Sequence, residues 1–318
     1  MKIVVLDGGT LSPADEFFAE LKALGALTVY ESTSREEFDA HVGDAEVVLT
    51  NKVAFSRSDF ERHPSVRYIG VTATGYNIID IIAAKEHSVI VTNIPAYSTQ
   101  SVAQMVFAHI LNVTNSVQHY AEGVNEGKWA RAGKFYYADT NLMELSGKTI
   151  GIVGLGNIGQ AVSRIARAFS MRVVAYTSRK ELPDYIESLS LESLLKESDI
   201  ISLHCPLTDG TRDLINRDTL SLVKPTAIIV NTARGPLVNE ADMTEALNEG
   251  RVLAYCADVL YAEPPCETSP SPLIGTPRCY LTPHIAWLTN EAKSRLLGIA
   301  LDNVTRFCRG TELANVVS

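Results

Sequence analysis

The chain is poor in cysteine, in long apolar runs and in excess positive charge. Its 318 residues include five cysteines, at 205, 256, 266, 279 and 308, and no two form a CxxC pair. An odd, scattered set excludes a disulfide framework and reads as reduced thiols in the cytoplasm; no metal is expected. No segment approaches the roughly 18 apolar residues of a membrane-spanning helix. The opening Met1–Asp7 reads as a strand ending in a carboxylate and lacks the apolar core and cleavage site of a signal peptide. With 28 Lys and Arg against 37 Asp and Glu, the net charge is −9, which argues against nucleic-acid binding. An anionic substrate stays open, because one arginine can dominate a local field.

What is present is a globular composition, 46% hydrophobic and 20% charged, over a length that suggests two domains. The first hundred residues alternate strand patterns (2–6, 27–30, 47–50, 68–71, 89–92) with helical ones (14–24, 35–42, 77–87), which is repeated βα and a parallel sheet. Gly8-Gly9 reads as a plain turn. Residues 101–118 form one long helical pattern leading into a second domain. The stretch 121–147, with Trp129, Phe135, Tyr136 and Tyr137, reads as irregular and as a buried interface, a dimer contact. Six strands are expected at 149–153, 172–176, 200–204, 227–231, 252–257 and 279–282, followed by a helix over 290–307 that packs back on the first domain.

The most specific local signal is Gly154-Leu155-Gly156-Asn157-Ile158-Gly159, directly after the apolar run 149–153 and opening a helix over 157–170. Such a strand–turn–helix uses its first glycine for a tight turn, its second for approach of a pyrophosphate and its third for close helix packing. The helix N-terminus then faces the phosphates of a dinucleotide. About 20 residues on, an Asp or Glu would bind the ribose 2′-hydroxyl of NAD. Here Tyr176 is followed by Thr177, Ser178, Arg179 and Lys180, and the first carboxylate is Glu181. Ser178 and Arg179 suit a 2′-phosphate, so NADP(H) is favoured, with NAD(H) the close alternative.

Three further features end strands, where ligands bind in open α/β sheets. Arg234, in Asn231–Gly235, is placed to grip a carboxylate through two parallel hydrogen bonds. Asp258 closes a strand, and Glu263 stands before two prolines that stiffen its loop. His284 follows Pro283 within reach of Glu263, and a neighbouring carboxylate favours a protonated imidazole and fixes its tautomer. A histidine is the usual proton donor near neutral pH. His204, also ending a strand, is a weaker candidate.

These motifs, together with Thr72–Asn77, Ser101–Gln104, His204–Leu207, Asp258–Pro265 and Pro283-His284, give the whole chain a resemblance to the D-isomer-specific 2-hydroxyacid dehydrogenases. Within that family, Asn51-Lys52 and the run 96–100 look most like glycerate dehydrogenases, that is, hydroxypyruvate reductases. The resemblance implies two doubly wound α/β domains with the active site in the cleft between them. One is a discontinuous flavodoxin-like substrate domain (1–100 and 288–318); the other is a Rossmann dinucleotide-binding domain (101–287).

By the same resemblance Arg234 binds substrate, Glu263 pairs with the catalytic acid/base His284, and backbone amides near Thr74 and Gly75 hold the substrate carboxylate. Asp258 would bind the nicotinamide carboxamide. Cys205, Pro206, Thr211, Thr232, Ala233, His284 and Ala286 would line the cofactor cleft with Gly154, Gly156, Asn157, Ile158, Gly159 and Thr177–Arg179. Lys52 and Trp287 lie where a substrate side chain could be read, although a solvated lysine and a packed aromatic are equally ordinary. A homodimer through 101–147 is implied. Two positions depart from the family: Gln104 stands where Glu is frequent, and Thr177 where NAD-dependent members carry Asp.

The reaction implied is hydride exchange between nicotinamide and a small 2-keto or 2-hydroxy acid, hydroxypyruvate to D-glycerate first, with glyoxylate to glycolate as a side activity. D-Lactate-type oxidation or another 2-hydroxy acid is the alternative. Glu263 argues against formate dehydrogenases, which carry glutamine there, and the length argues against phosphoglycerate dehydrogenases with an added regulatory domain. A nucleotide-sensing corepressor of the same fold is the rival from another class; retention of all three catalytic residues speaks against it.

Overall fold

The computed structural model describes residues 1–318, which divide into two compact units: Met1–Ser98 with Leu288–Ser318, and Thr99–Trp287.

The first unit holds a five-stranded parallel sheet of β1 (Lys2–Val5), β2 (Ala26–Val29), β3 (Val47–Thr50), β4 (Tyr68–Val71) and β5 (Ile90–Thr92). The order β2-β1-β3-β4-β5 is the flavodoxin-like one, with its switch point between β1 and β3. β3 and β4 are buried at every residue because helices cover both faces, whereas β2 is an edge and partly exposed. The helices are α1 (Asp15–Leu24), α2 (Phe38–Val42), α3 (Arg57–Arg62) and α4 (Ile81–Glu86). The last starts later than the sequence pattern suggests, because the Asp80 side chain accepts the Ala83 N–H and sets the cap. The chain's final helix, Asn290–Arg309, and the segment after it complete this unit: Val317 N–H donates to Val91 and Asn93 N–H to Asn315.

The second unit begins with α5 (Thr99–Asn115), α6 (Val117–Asn125) and α7 (Lys128–Ala132). The single helix expected over 101–118 is therefore broken, at Ser116, whose φ of 50° is left-handed. The stretch expected to be irregular begins as helix. Three of its four aromatics are exposed within the chain, Phe135 (94%) and Tyr136 (70%) most of all with Trp129, whereas Tyr137 is half-buried against Tyr120.

A seven-stranded parallel sheet follows, made of β6 (Thr149–Val153), β7 (Arg172–Tyr176), β8 (Ile186–Ser188), β9 (Ile200–Leu203), β10 (Ile228–Asn231), β11 (Ala254–Ala257) and β12 (Cys279–Leu281). The order β12-β11-β10-β9-β6-β7-β8 is the Rossmann arrangement from β8 to β11, with β12 added beyond. The six strands expected become seven through β8, a three-residue edge strand of which only Ile186 is buried. Five helices pack on this sheet: α5, α8 (Asn157–Ala168), α9 (Leu191–Glu197), α10 (Arg217–Leu220) and α11 (Glu240–Asn248). The terminal helix Asn290–Arg309 is then α12. Separate apolar clusters cover the faces, one around Ile150, Ile152, Val162 and Val173, the other around Val153, Ile201, Ile229 and Leu247. The result is a rigid strand edge from which the loops described next project.

Candidate active site

The loops that matter all leave the carboxyl ends of the seven strands, where adjacent crossovers diverge at the β6/β9 switch point. At the end of β6 each glycine of the motif has a distinct reason. Gly154 adopts φ of 95°, and a Cβ there would lie 2.6 Å from the Cys205 nitrogen. A Cβ on Gly159 would lie 2.3 Å from the Gly154 carbonyl oxygen, so the third glycine lets α8 close on β6. A Cβ on Gly156 would meet nothing within 4 Å. The second glycine thus faces open space in front of the α8 N-terminus, which no side chain caps. The amides of Asn157, Ile158 and Gly159 lead that uncapped turn, the arrangement that holds a pyrophosphate.

Two buried polar atoms nearby have no partner. They are the Thr232 hydroxyl, after β10, and the His204 Nδ1, after β9. Buried polar groups are nearly always satisfied, so an orphaned hydroxyl beside an open glycine cradle fits a polar ligand. Burial also pushes the His204 pKa down to about 3, keeping the ring neutral, and its Nε2 lies 2.8 Å from the Ser202 hydroxyl. Thr211 closes the loop after Pro206: its hydroxyl donates to the Pro206 carbonyl at 2.7 Å and accepts from the Thr208 amide at 2.8 Å. Burial raises the pKa of the Cys205 thiol. Beyond β7, Thr177 is half-buried, Ser178 and Arg179 are exposed, and the Arg179 amide donates to the Thr177 hydroxyl.

His284 and Glu263 come together, with Nδ1 and Oε2 2.6 Å apart. Glu263 is itself anchored, since its Oε1 accepts the Leu260 amide at 2.8 Å. His284 sits at φ of 55°, a left-handed conformation that costs a non-glycine residue of order 1 kcal/mol or more. The turn is held by Asp258, which is 1% exposed. Its carboxylate accepts from the Ile285 amide (2.9 Å), the Ala286 amide (2.8 Å) and the Thr282 hydroxyl (2.5 Å). The Ala286 carbonyl accepts from Ser101, so both backbone groups of this buried residue are engaged. Trp287 follows, half-buried.

Arg234 is exposed and has no carboxylate within ion-pair distance; its Nη1 donates to its neighbour's carbonyl, that of Ala233, at 2.7 Å. The turn that presents it is shaped by Asn231, fully buried, whose side chain donates to the Arg234 carbonyl (2.9 Å) and accepts the Ala233 amide (3.0 Å). A guanidinium without an ion-pair partner on a fixed turn suits an anion.

Lys52, Thr74 and Gly75 belong to the first unit. Asp7, at the end of β1, accepts the amides of Asn51 (2.9 Å) and Lys52 (2.6 Å), fixing the loop that carries the exposed Lys52 side chain. The Thr74 hydroxyl donates to the Ile94 carbonyl and its own carbonyl accepts from Asn93, while the amides of Thr74 and Gly75 donate to no backbone carbonyl. Two amides left open in a turn suit a carboxylate.

The family profile described as "D-isomer specific 2-hydroxyacid dehydrogenase, NAD binding domain" matches residues 107–286. The chain belongs to this dehydrogenase family. It is 43% identical to a hydroxypyruvate reductase of Blautia hydrogenotrophica, over the full length of both chains. A glycerate dehydrogenase of Methylorubrum extorquens is 33% identical, covering 97% of this chain and 96% of that one. Among solved structures, an acyclic imino acid reductase in complex with NADPH and D-Arg superposes with a TM-score of 0.88 at 28% identity, covering both chains completely. The protein is thus an oxidoreductase with a nicotinamide-binding Rossmann unit, and no helix is long and apolar enough to cross a membrane.

For a dehydrogenase of this family the site contains residues that sequence reasoning passed over. In the sequence Asn231 stands out only as the start of the Arg234 motif, and Thr282 only as the end of the strand expected at 279–282. Asn231 bonds to backbone groups two and three residues on, the kind of local turn an Asn signals, whereas the role of Thr282 rests on Asp258, 24 residues away, and has no local signal.

Proposed function

We propose that this dehydrogenase reduces a small 2-keto acid, hydroxypyruvate to D-glycerate first and glyoxylate to glycolate as a side reaction. The observation that carries this reading is the 2.6 Å pair of His284 and Glu263 on the same strand edge as the unpaired Arg234. A bound nicotinamide supplies the hydride that reaches C2 of the keto acid. His284, protonated and held by Glu263, donates a proton to the keto oxygen, so the product is the neutral hydroxyl and the ring is left neutral. Arg234 grips the carboxylate and the carbonyl and opposes the negative charge that develops on oxygen. In the oxidative direction neutral His284 takes the hydroxyl proton. Amides around Thr74 and Gly75 hold the substrate carboxylate, and Lys52 and Trp287 read the remainder of the substrate.

The glycine cradle at Gly154–Gly159 takes the pyrophosphate, and Thr232, Ala233, Cys205 and Pro206 border the nicotinamide half. Ser178 and Arg179, without a carboxylate before Glu181, support NADP(H) over NAD(H). The exposed aromatics at 129, 135 and 136 support a homodimer through residues 101–147, since apolar surface of this size is normally covered. Five unpaired thiols agree with a reducing cytoplasm.

The test is absorbance at 340 nm with purified protein, hydroxypyruvate or pyruvate, and NADPH or NADH in parallel. Rapid oxidation with hydroxypyruvate and little with pyruvate supports the proposal, and the faster coenzyme decides the 2′-phosphate question. Tight coenzyme binding with no turnover on either keto acid defeats it.

A further inference from the structure

The left-handed turn at His284 needs an explanation, because a strained backbone persists only where its surroundings enforce it. The His284 amide donates to the Thr282 carbonyl at 3.0 Å across Pro283. On the C-terminal side of the histidine, two amides reach Asp258. On the N-terminal side, the one side-chain contact with Asp258 is the Thr282 hydroxyl at 2.5 Å. One buried carboxylate therefore grips the turn from both sides, and Thr282 is the N-terminal grip.

The hydroxyl has a second partner. His109, on α5 and 5% exposed, places its Nε2 3.3 Å from the Thr282 oxygen. A threonine hydroxyl has one proton to give. Asp258 faces other donors and is the acceptor for that proton, so at the second contact the Thr282 oxygen accepts and His109 Nε2 carries hydrogen. Burial lowers the His109 pKa, which favours the neutral ring. Donation runs in one direction, from His109 to Thr282 to Asp258, and each bond polarises the next.

We infer that Thr282, oriented by His109, is a positioning residue that sets the His284 ring against Glu263. It touches neither substrate nor coenzyme in this scheme; it acts through the turn. The inference rests on the reading of His284 as acid/base only for its effect on rate, because the placement of the ring can be followed without turnover.

The experiment compares Thr282→Val, which keeps the shape and removes the hydroxyl, with Thr282→Ser, which restores it, and His109→Phe, which removes the donor. The readout is the low-field proton of His284 Nδ1 bonded to Glu263, observed by long-range 1H–15N NMR and assigned by its loss in His284→Gln. In Thr282→Val that signal shifts or broadens, kcat falls at least tenfold and the KM for coenzyme stays within twofold. Thr282→Ser returns both signal and rate most of the way, and His109→Phe shows a smaller change of the same kind. A wild-type signal in Thr282→Val overturns the inference, as does an equal loss in Thr282→Ser. The kcat of His284→Gln independently tests the acid/base reading: full activity there defeats that reading while the NMR comparison still decides the role of Thr282.

Discussion

A β-carbon on Gly235 would lie 1.9 Å from the carbonyl oxygen of Leu260. The turn that presents Arg234 and the loop that carries Glu263 therefore touch, backbone to backbone, with no room for a methyl group. Gly235→Ala must push the two loops apart, and overpacking of this kind costs about 1–3 kcal/mol. The expected result is a lower urea midpoint together with a rise in the KM for keto acid. A variant with unchanged stability and kinetics would show that the contact is slack.

Arg234 has no ionic partner of its own, so its removal should leave folding alone and strike catalysis. Each charge-assisted hydrogen bond is worth about 1.5–3 kcal/mol, and Arg234→Ala should lose at least a hundredfold in kcat/KM at constant Tm. Arg234→Lys keeps the charge without the planar fork and should recover only part. Equal kcat/KM in Arg234→Ala and wild type would remove the residue from the substrate site.

Glu263→Gln preserves size and the contact with the Leu260 amide but removes the charge opposite His284. Loss of one charge-assisted bond predicts a kcat for keto-acid reduction about ten- to a hundredfold lower, with coenzyme affinity intact. Stopped-flow single turnovers separate the two quantities; a fall in coenzyme affinity alone would contradict the pairing.

Thr177→Asp places a carboxylate where a 2′-phosphate is proposed to sit, and like charges repel there. The ratio of kcat/KM for NADH to that for NADPH should rise by at least tenfold. An unchanged ratio would mean that the 177–180 loop does not read the ribose.

His204 gives a pH-dependent stability term. Its folded pKa is depressed to about 3 by burial, while an unfolded histidine titrates near 6.5. As pH falls below 6.5 the unfolded chain takes up a proton that the folded one refuses. Stability is thus fully present above 6.5 and declines, by up to about 1.4 kcal/mol per pH unit for this group, towards pH 3. Urea midpoints from pH 7.5 to 5 should fall more steeply for wild type than for His204→Gln, because every other group titrates in both chains. Coincident slopes would show that His204 charges freely in the folded state.

The parts of this molecule that were readable from sequence are those with strong local signals. The run 149–153 followed by Gly154–Gly159 announces a buried strand, a tight turn and a helix within a dozen residues, and the fully buried strands of both sheets are mostly apolar runs. α3 is not among the expected helices, although Ser56 and Asp59 form a capping box, a signal that sequence does carry. β8 offered no such signal, since a three-residue edge strand with one buried side chain has no periodicity to detect. The break at Ser116 is equally silent, for serine gives no warning of φ near 50°. At the site, residue types pointed to His284, Glu263 and Arg234. What orients them is less legible: Asn231 makes a short-range turn contact with the Arg234 segment, and Thr282 is an ordinary polar residue whose meaning lies in its contact with Asp258, 24 residues away.

The discontinuity of the first unit has a consequence for synthesis. Its sheet comes from the beginning of the chain, yet α12 and the pairing of Val317 with Val91 arrive last. The contiguous 99–287 segment can fold as soon as it clears the ribosome, while residues 1–98 must wait, part-formed, through the translation of nearly two hundred more. The second unit thus needs only one uninterrupted stretch of chain, whereas the first is completed by residues made after the whole of its neighbour.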